Sequence, residues 1–285
     1  MAIKREERTI TIQLLEQETV EIFFLGKTWL FMNRMAKKSI GQLLLPPLTQ
    51  NRASRQQVLK HDPPAEFRDS IYRCRNDKAP TLVHMPENAF KKAMAQAALG
   101  TPGATKAEIG RHVQVIDETV HIYGTPYLDM RIVRQAGINK TPDVRTRAIF
   151  KEWGGKVTVQ YTRGIVKEAF IANLMANAGN ITGVGDGRTD KGTYNFGSWE
   201  VVSKDDPRLL KLMKEHGRKA QLAAMEHPVA SNEDTEELLA WFESELVRRE
   251  TDRKPAKTKA PKLPSPEAIT SAAKRNGKTT PKGDA

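Results

Sequence analysis

Between residues 179 and 202 the chain leaves an amphipathic segment and passes through Gly183-Val184-Gly185-Asp186-Gly187-Arg188. It continues through Thr193-Tyr194-Asn195-Phe196-Gly197-Ser198-Trp199 into the apolar pair Val201-Val202. Five glycines fall between residues 183 and 197, with Gly179 just ahead. Glycine has no Cβ, so such a run permits positive φ and lets backbone N–H groups approach a ligand closely. Two readings stay open: a loop that holds phosphate or an extended nucleic-acid backbone, and a flexible turn.

The flanking pattern places this loop in a fold. Ile165 to Ala178 repeats Val166, Phe170 and Leu174 at helical spacing, and Gly179 reads as the glycine that ends the helix. Upstream, Arg145 to Tyr161 reads as a hairpin of TRAIFKE and KVTVQY, turning at Trp153-Gly154-Gly155. Hairpin, helix, Gly-rich loop and strand form the second half of a ferredoxin-like β-α-β-β-α-β sheet. The first half is expected from the strand at residues 19–26 with its following helix and hairpin: Lys27 to Leu45 reads as partly helical and strongly basic, a further helix carries Phe90, Ala93, Met94 and Ala97, and residues 112–116 and 119–123 read as a hairpin. The expected class is α+β, an antiparallel ferredoxin-like (RRM-like) sheet with hairpin insertions, C-terminal helices and a disordered basic tail.

Residues 1–203 form the expected core, with a polar insertion around 46–80. Residues 204–250 form a helical extension, with one helix from Arg208 to Met225 and another ending near Arg249. The net charge is +12, and residues 251–285 hold nine Lys/Arg and three Asp/Glu, so half the excess lies in the tail. That tail is rich in Pro, Lys, Ala and Thr and lacks the apolar surface to offset its ordering entropy. A disordered basic arm adds salt-dependent affinity for polyanions; its alternative is a solubilising tail.

Single-stranded nucleic acid needs cations along a groove and exposed π-faces for stacking. On the strand from residue 145, Arg145, Arg147, Ile149, Lys151 and Trp153 share one face. The candidate binding set is Arg34, Lys37, Lys38, Arg145, Arg147, Lys151, Gly183, Gly185, Gly187, Arg188 and Lys191. The stacking candidates are Trp29, Trp153, Tyr194 and Trp199, for each of which core packing is the alternative and for Trp199 the preferred one. Arginine's planar donors suit phosphate better than lysine's ammonium.

Other chemistries find little footing. Cys74 is the only cysteine, which excludes an internal disulfide and a cysteine-based metal cluster and fits a reducing cytoplasm. The six histidines lack metal-ligand spacing, and GVGDGR matches neither a P-loop nor a dinucleotide fingerprint. No metal or cofactor is expected. The start of the chain lacks a signal-peptide core and no 18-residue apolar run occurs, so a cytoplasmic location with no membrane partner is expected. His84 and His121 are the candidates for acid–base work, without a partner visible in sequence.

The Gly-rich loop with Phe196-Gly197-Ser198-Trp199-Glu200 resembles that of the RAMP superfamily, the RNA-binding backbone subunits of CRISPR effector complexes. The segments PYLDMRIVR, RTRAIFKEW and ANAGNITGVGDGR with YNFGSWEVV also resemble a group of proteins encoded by phages and prophages, over most of residues 19–202. The RAMP resemblance implies an RRM-like sheet, single-stranded nucleic acid as ligand and self-assembly into a homo-oligomer. RAMP subunits that cleave RNA carry an acidic residue after the first strand, whereas Gly26 to Leu45 contains no Asp or Glu. The expectation is therefore a non-catalytic, phage- or prophage-encoded protein that binds single-stranded RNA or DNA. The alternatives are a phage structural or assembly protein and, further off, a metal-independent ribonuclease.

Overall fold

The computed structural model describes residues 15–37, 40, 44, 61–103, 105–134, 141–191 and 194–252. Lys38, the first part of the polar insertion and the basic tail from residue 253 lie outside the described residues. The chain divides into two compact units between Leu239 and Ala240. In chain order the first contains β1 (Gln17–Gly26), β2 (Leu30–Met32), α1 (Pro63–Asp69), β3 (His84–Pro86), α2 (Glu87–Ala97), α3 (Lys106–His112), β4 (Val113–Val115) and β5 (Thr119–Tyr123). There follow β6 (Pro126–Arg134), β7 (Pro142–Phe150), β8 (Gly154–Thr162), α4 (Glu168–Ile181), β9 (Trp199–Val202), α5 (Pro207–Glu215), α6 (Arg218–Glu226) and α7 (Glu233–Asp252), the last running across the division.

The strands form two antiparallel sheets, so the class is α+β. One sheet has the order β3-β5-β8-β1-β9, with β4 also paired to β8; the other has the order β2-β7-β6. Alternation on β8 sends Val157, Val159 and Tyr161 into the core and leaves Lys156, Thr158 and Gln160 outside. The buried set continues through Ile22 and Phe24 of β1, Val120 and Ile122 of β5, Phe90 and Met94 of α2, and Ile171 and Leu174 of α4. Phe24 sits at its centre, with ring centroids 5.1 Å from Phe90, 5.9 Å from Trp153 and 6.4 Å from Trp199. Leu30 and Met32 of β2, Ala148 and Phe150 of β7, and Leu128 and Met130 of β6 join the same core from the second sheet.

Both expected hairpins are replaced by other pairings. The strand at 142–150 pairs with β2 and β6, and the chain then crosses to the first sheet at Glu152-Trp153. Gly154 and Gly155 do not turn the chain; they begin β8, where a Cβ would lie 2.6 Å from the Phe24 carbonyl oxygen and 2.4 Å from that of His121. Close strand approach, rather than a turn, is what requires glycine there. Likewise β4 and β5 lie end to end along β8, separated by a bulge in which the Asp117 carboxylate accepts the Thr158 N–H at 2.5 Å.

Gly179 also differs from its expected role. It lies inside α4, where a Cβ would sit 2.2 Å from the Trp199 carbonyl oxygen, and Gly183 ends the helix at φ +74°, donating to the Ala178 carbonyl at 2.9 Å. The single helix expected from Arg208 to Met225 is two, α5 and α6, separated at His216-Gly217. Leu209 and Leu212 of α5 pack on Leu25 and Tyr123. The buried Gln221 side chain of α6 accepts the N–H groups of Leu82 and Val83 at 2.8 and 3.1 Å and donates to the carbonyls of Ile122 and Gly124 at 2.8 and 3.0 Å.

Helix α3 starts with a reciprocal cap: Thr105 Oγ1 accepts the Glu108 N–H at 3.2 Å, and the Glu108 carboxylate accepts the Thr105 N–H at 3.1 Å. Thr105→Ala is expected to lower stability by about 1 kcal/mol. A urea melt with an unchanged midpoint would contradict it.

Candidate nucleic-acid interface

The outer face of the second sheet is built in cross-strand rows. Phe31, Ile149 and Tyr127 form one row across β2, β7 and β6; Arg147 opposite Asp129 forms the next, and Arg145 opposite Arg131 the third. The Gly-rich loop docks against the edge of this face. Asp186 N–H donates to the Phe31 carbonyl at 3.0 Å, Gly197 N–H to Trp29 at 2.8 Å, and Phe196 N–H to Gly187 at 3.2 Å. Phe196 is thereby placed with its ring centroid 4.4 Å from Phe31, and Tyr194 stacks on Phe196 at 5.6 Å.

Between loop and sheet runs a groove of about 230 Å³, lined by Arg131, Arg134, Arg145, Arg147 and Lys191, with Asp186 as the lining carboxylate. Two of the arginines are held. Arg131 forks onto Asp129 through Nε at 2.7 Å and Nη2 at 2.5 Å, and the buried Asp129 also accepts Ser231 Oγ at 3.1 Å. The hydrogen bonds to Asp129 hold the Arg131 guanidinium above its ordinary pKa, against the effect of burial. Arg147 is paired with Asp186, whose carboxylate also accepts Asn33 Nδ2 at 3.1 Å and the Gly187 N–H at 3.0 Å. Both guanidiniums stand over the Phe31 ring, at 4.8 and 5.3 Å from its centroid. By contrast, Arg134, Arg145 and Lys191 are exposed and have no ion pair among the described residues.

The glycines act in the loop's own structure. Gly183, Gly185, Gly187 and Gly197 all take positive φ, from +64° to +84°. The N–H groups of Gly183, Val184, Asp186 and Gly187 donate to acceptors within the protein, so the loop forms a docked wall beside the groove. A Cβ at Gly185 would meet the Phe31 carbonyl oxygen at 2.5 Å.

The structure gathers Arg145, Arg147, Gly187 and Lys191 of the candidate set around the groove and sets the others apart. Arg188 is turned into the loop, its Nε 2.6 Å from Asp190 and its Nη1 donating to the Gly185 carbonyl at 3.3 Å. With Gly183, Gly185 and Lys191 it lines a cleft of about 420 Å³ between the loop and α2. Lys151 stands over the Tyr127 ring at 4.9 Å and lines a separate cavity with Arg208. Arg34 leaves β2 toward α1, donating its N–H to the Ser70 carbonyl, and the Lys37 N–H donates to Asp69 at 3.1 Å.

Trp153 and Trp199 are core residues, 1% and 0% exposed, whereas Tyr194 is 52% and Trp29 42% exposed. Arg131, Arg134, Phe31 and Phe196 were not among the candidates. The alternation Tyr127, Asp129, Arg131, Val133 in PYLDMRIVR carries the same one-face signal as RTRAIFKE, which brings Arg131 within reach of the sequence. His84 and His121 prove to be direct cross-strand partners on β3 and β5, with His121 Nδ1 2.9 Å from Thr81 Oγ1. Burial, first of all, lowers the pKa of both. Among the described residues, no group of three or more His, Cys, Asp or Glu is placed to hold a metal ion, and no helix is long and apolar enough to cross a membrane.

Fold and site together define an α+β protein of two antiparallel sheets with a cationic, aromatic-walled groove on the smaller one. No family model matches the chain, and no curated protein matches it. Among solved structures it has a likeness, at 14% identity and a TM-score of 0.33, to a chain of the Type III-B Cmr-beta complex bound to cognate target RNA. The match covers 66% of this chain, which spans 59% of the length of that one.

Proposed function

We propose that this protein is a non-catalytic binder of single-stranded nucleic acid, with a ferredoxin-like core of the RAMP type, and that the strand lies in the groove between the Gly-rich loop and the β2-β7-β6 sheet. The core assignment is supported by chain order: β1, α2, β4 with β5, β8, α4 and β9 follow a β-α-β-β-α-β succession, laid out in space as β5-β8-β1-β9. The observation that carries the binding reading is the division of labour among the groove's cations. Arg131 and Arg147 are fixed over Phe31, while Arg134, Arg145 and Lys191 stand unpaired around them, next to the exposed ring of Tyr194. Phosphates meet the unpaired cations and a base stacks on Tyr194. The lining carboxylate is already bonded to Arg147 and Asn33, and among the described residues no histidine or cysteine lines the groove, in keeping with a binding rather than an acid–base role.

Labelled single-stranded RNA, single-stranded DNA and duplex of equal length, titrated at several salt concentrations, test the reading. Single strands are expected to bind more tightly than duplex, with affinity falling steeply as salt rises. Absence of single-strand binding at low salt would overturn it.

A further inference from the structure

The Gly-rich loop walls two spaces. Asp186 and Gly187 line the groove, whereas Gly183, Val184 and Gly185 line the cleft of about 420 Å³ on the side of α2. Lys191 lines both, and its N–H donates to the Arg188 carbonyl at 3.0 Å. The other wall of the cleft is the face of α2 that carries Ala89, Lys92, Ala93 and Gln96, residues at i, i+3, i+4 and i+7. Lys106, from the first turn of α3, joins that wall, its Nζ donating to Gln96 Oε1 at 3.3 Å.

Lys92, Lys106, Arg188 and Lys191, from three segments of the chain, thus converge on one concave space. Asp190 is the carboxylate among the lining residues, and it is taken by Arg188 Nε at 2.6 Å. The three lysines are exposed and form no ion pair among the described residues. The N–H groups of Gly183 and Val184 already donate to the Ala178 and Gly197 carbonyls, so neither is left for a bound phosphate. What the cleft offers is flexible ammonium groups beside the small apolar residues Ala89, Ala93 and Val184, with no aromatic side chain in the lining among the described residues. Its volume falls in the range of about 300–1,000 Å³ typical of ligand clefts. A lining of mobile point charges suits a sugar–phosphate backbone held without sequence preference, whereas a nucleotide-specific pocket needs fixed donors and acceptors around the base.

We propose that this cleft is the second half of the nucleic-acid path: a single strand leaving the groove passes Lys191 and continues between the Gly-rich loop and α2, where its phosphates meet Lys92 and Lys106. The proposal rests on the groove reading above. Lys191 is the link, being common to the linings of both spaces. The two halves differ in chemistry. The exposed Tyr194 ring lies on the groove side, so a base stacks there, and the cleft holds the backbone by charge alone. The strand then lies on both sides of the loop, and a longer strand binds more tightly than one that fills only the groove.

The test compares the full-length protein with a Lys92→Gln/Lys106→Gln variant, using labelled single strands of increasing length at several salt concentrations. Both lysines are exposed, so the variant is expected to melt with the wild type; Lys92→Gln alone replaces it if the pair does not fold. For long strands the pair is expected to weaken binding at least tenfold and to lower the slope of log affinity against log salt by about 1.4, two contacts at about 0.7 each. For the shortest strand that the wild type binds, the two proteins are expected to agree within about twofold. Equal affinity and slope on long strands overturn the proposal, and so does an equal loss on the shortest strand, which would separate the cleft from the groove's end. An Arg134→Ala/Arg145→Ala variant measured alongside tells the two readings apart. If it weakens short and long strands alike while the lysine pair changes neither, the groove stands and the continuation into the cleft fails; if the wild type binds no single strand at all, both fail.

Discussion

Gly197→Val is expected to unfold the protein or to lower its melting temperature by roughly 6–12 °C, corresponding to about 3 kcal/mol in a chain of this size. Gly197 has φ +70°, a conformation that costs a β-branched residue about 1–3 kcal/mol. A Cβ there would lie 1.8 Å from the carbonyl oxygen of Val184 and 2.8 Å from its carbonyl carbon. These are backbone atoms, and the same two residues are joined by the Val184 N–H donating to the Gly197 carbonyl at 3.0 Å, so relief of the clash must break the loop's own pairing. The Gly197 N–H bond to Trp29 goes with it, and the loop leaves β2. Two controls isolate the cause. Gly103→Ala adds a side chain at φ +80° with nothing within 4 Å, so it carries the backbone strain alone and is expected to cost about 1 kcal/mol, whereas Arg188→Ala removes a loop-internal ion pair and one hydrogen bond to the Gly185 carbonyl and is expected to melt close to wild type. A Gly197→Val protein that melts within about 2 °C of wild type would show that the loop is not docked as described.

The double replacement of Arg134 and Arg145 by alanine is expected to weaken single-strand binding by tenfold or more at low salt and to flatten its salt dependence. Each phosphate contact contributes about 0.7 to the slope of log affinity against log salt for single strands, so two lost contacts reduce it by about 1.4. Folding should survive, because both side chains are exposed and unpaired among the described residues. Replacing Arg147 would be a poorer test: its side chain is 11% exposed and bound to Asp186, so its loss disturbs the wall of the groove as well as its charge. An unchanged slope in the double variant would place the phosphates elsewhere, the basic tail being the first candidate.

Much of the first sheet was legible because its strands obey period-two burial. Val157, Val159 and Tyr161 alternate with Lys156, Thr158 and Gln160, and the helices flanking it carry their apolar residues at helical spacing. The second sheet was hidden by local turn chemistry. Trp153-Gly154-Gly155 has the composition of a tight turn, yet the chain runs straight through it, because Trp153 is buried against Phe24 and both glycines admit a neighbouring backbone. A turn residue and a close-packed strand residue are the same glycine in sequence, and only the partner strand tells them apart. Gly179 was misread for the same reason. The groove was half legible: Arg145, Arg147 and Lys191 follow from charge and alternation, but the union of β6 with β7 and the docking of Phe196 on Phe31 are contacts between distant segments.

Ultraviolet cross-linking of the protein to a bound single strand, followed by peptide mapping of the adducts, tests the groove assignment most directly. Adducts are expected on the peptide carrying Tyr194 and Phe196, with further ones on the β6 and β7 peptides around Arg131, Arg134 and Arg145. Adducts confined to the basic tail, or to the outer face of the first sheet around Lys156 and Thr158, with none on those peptides, would contradict it.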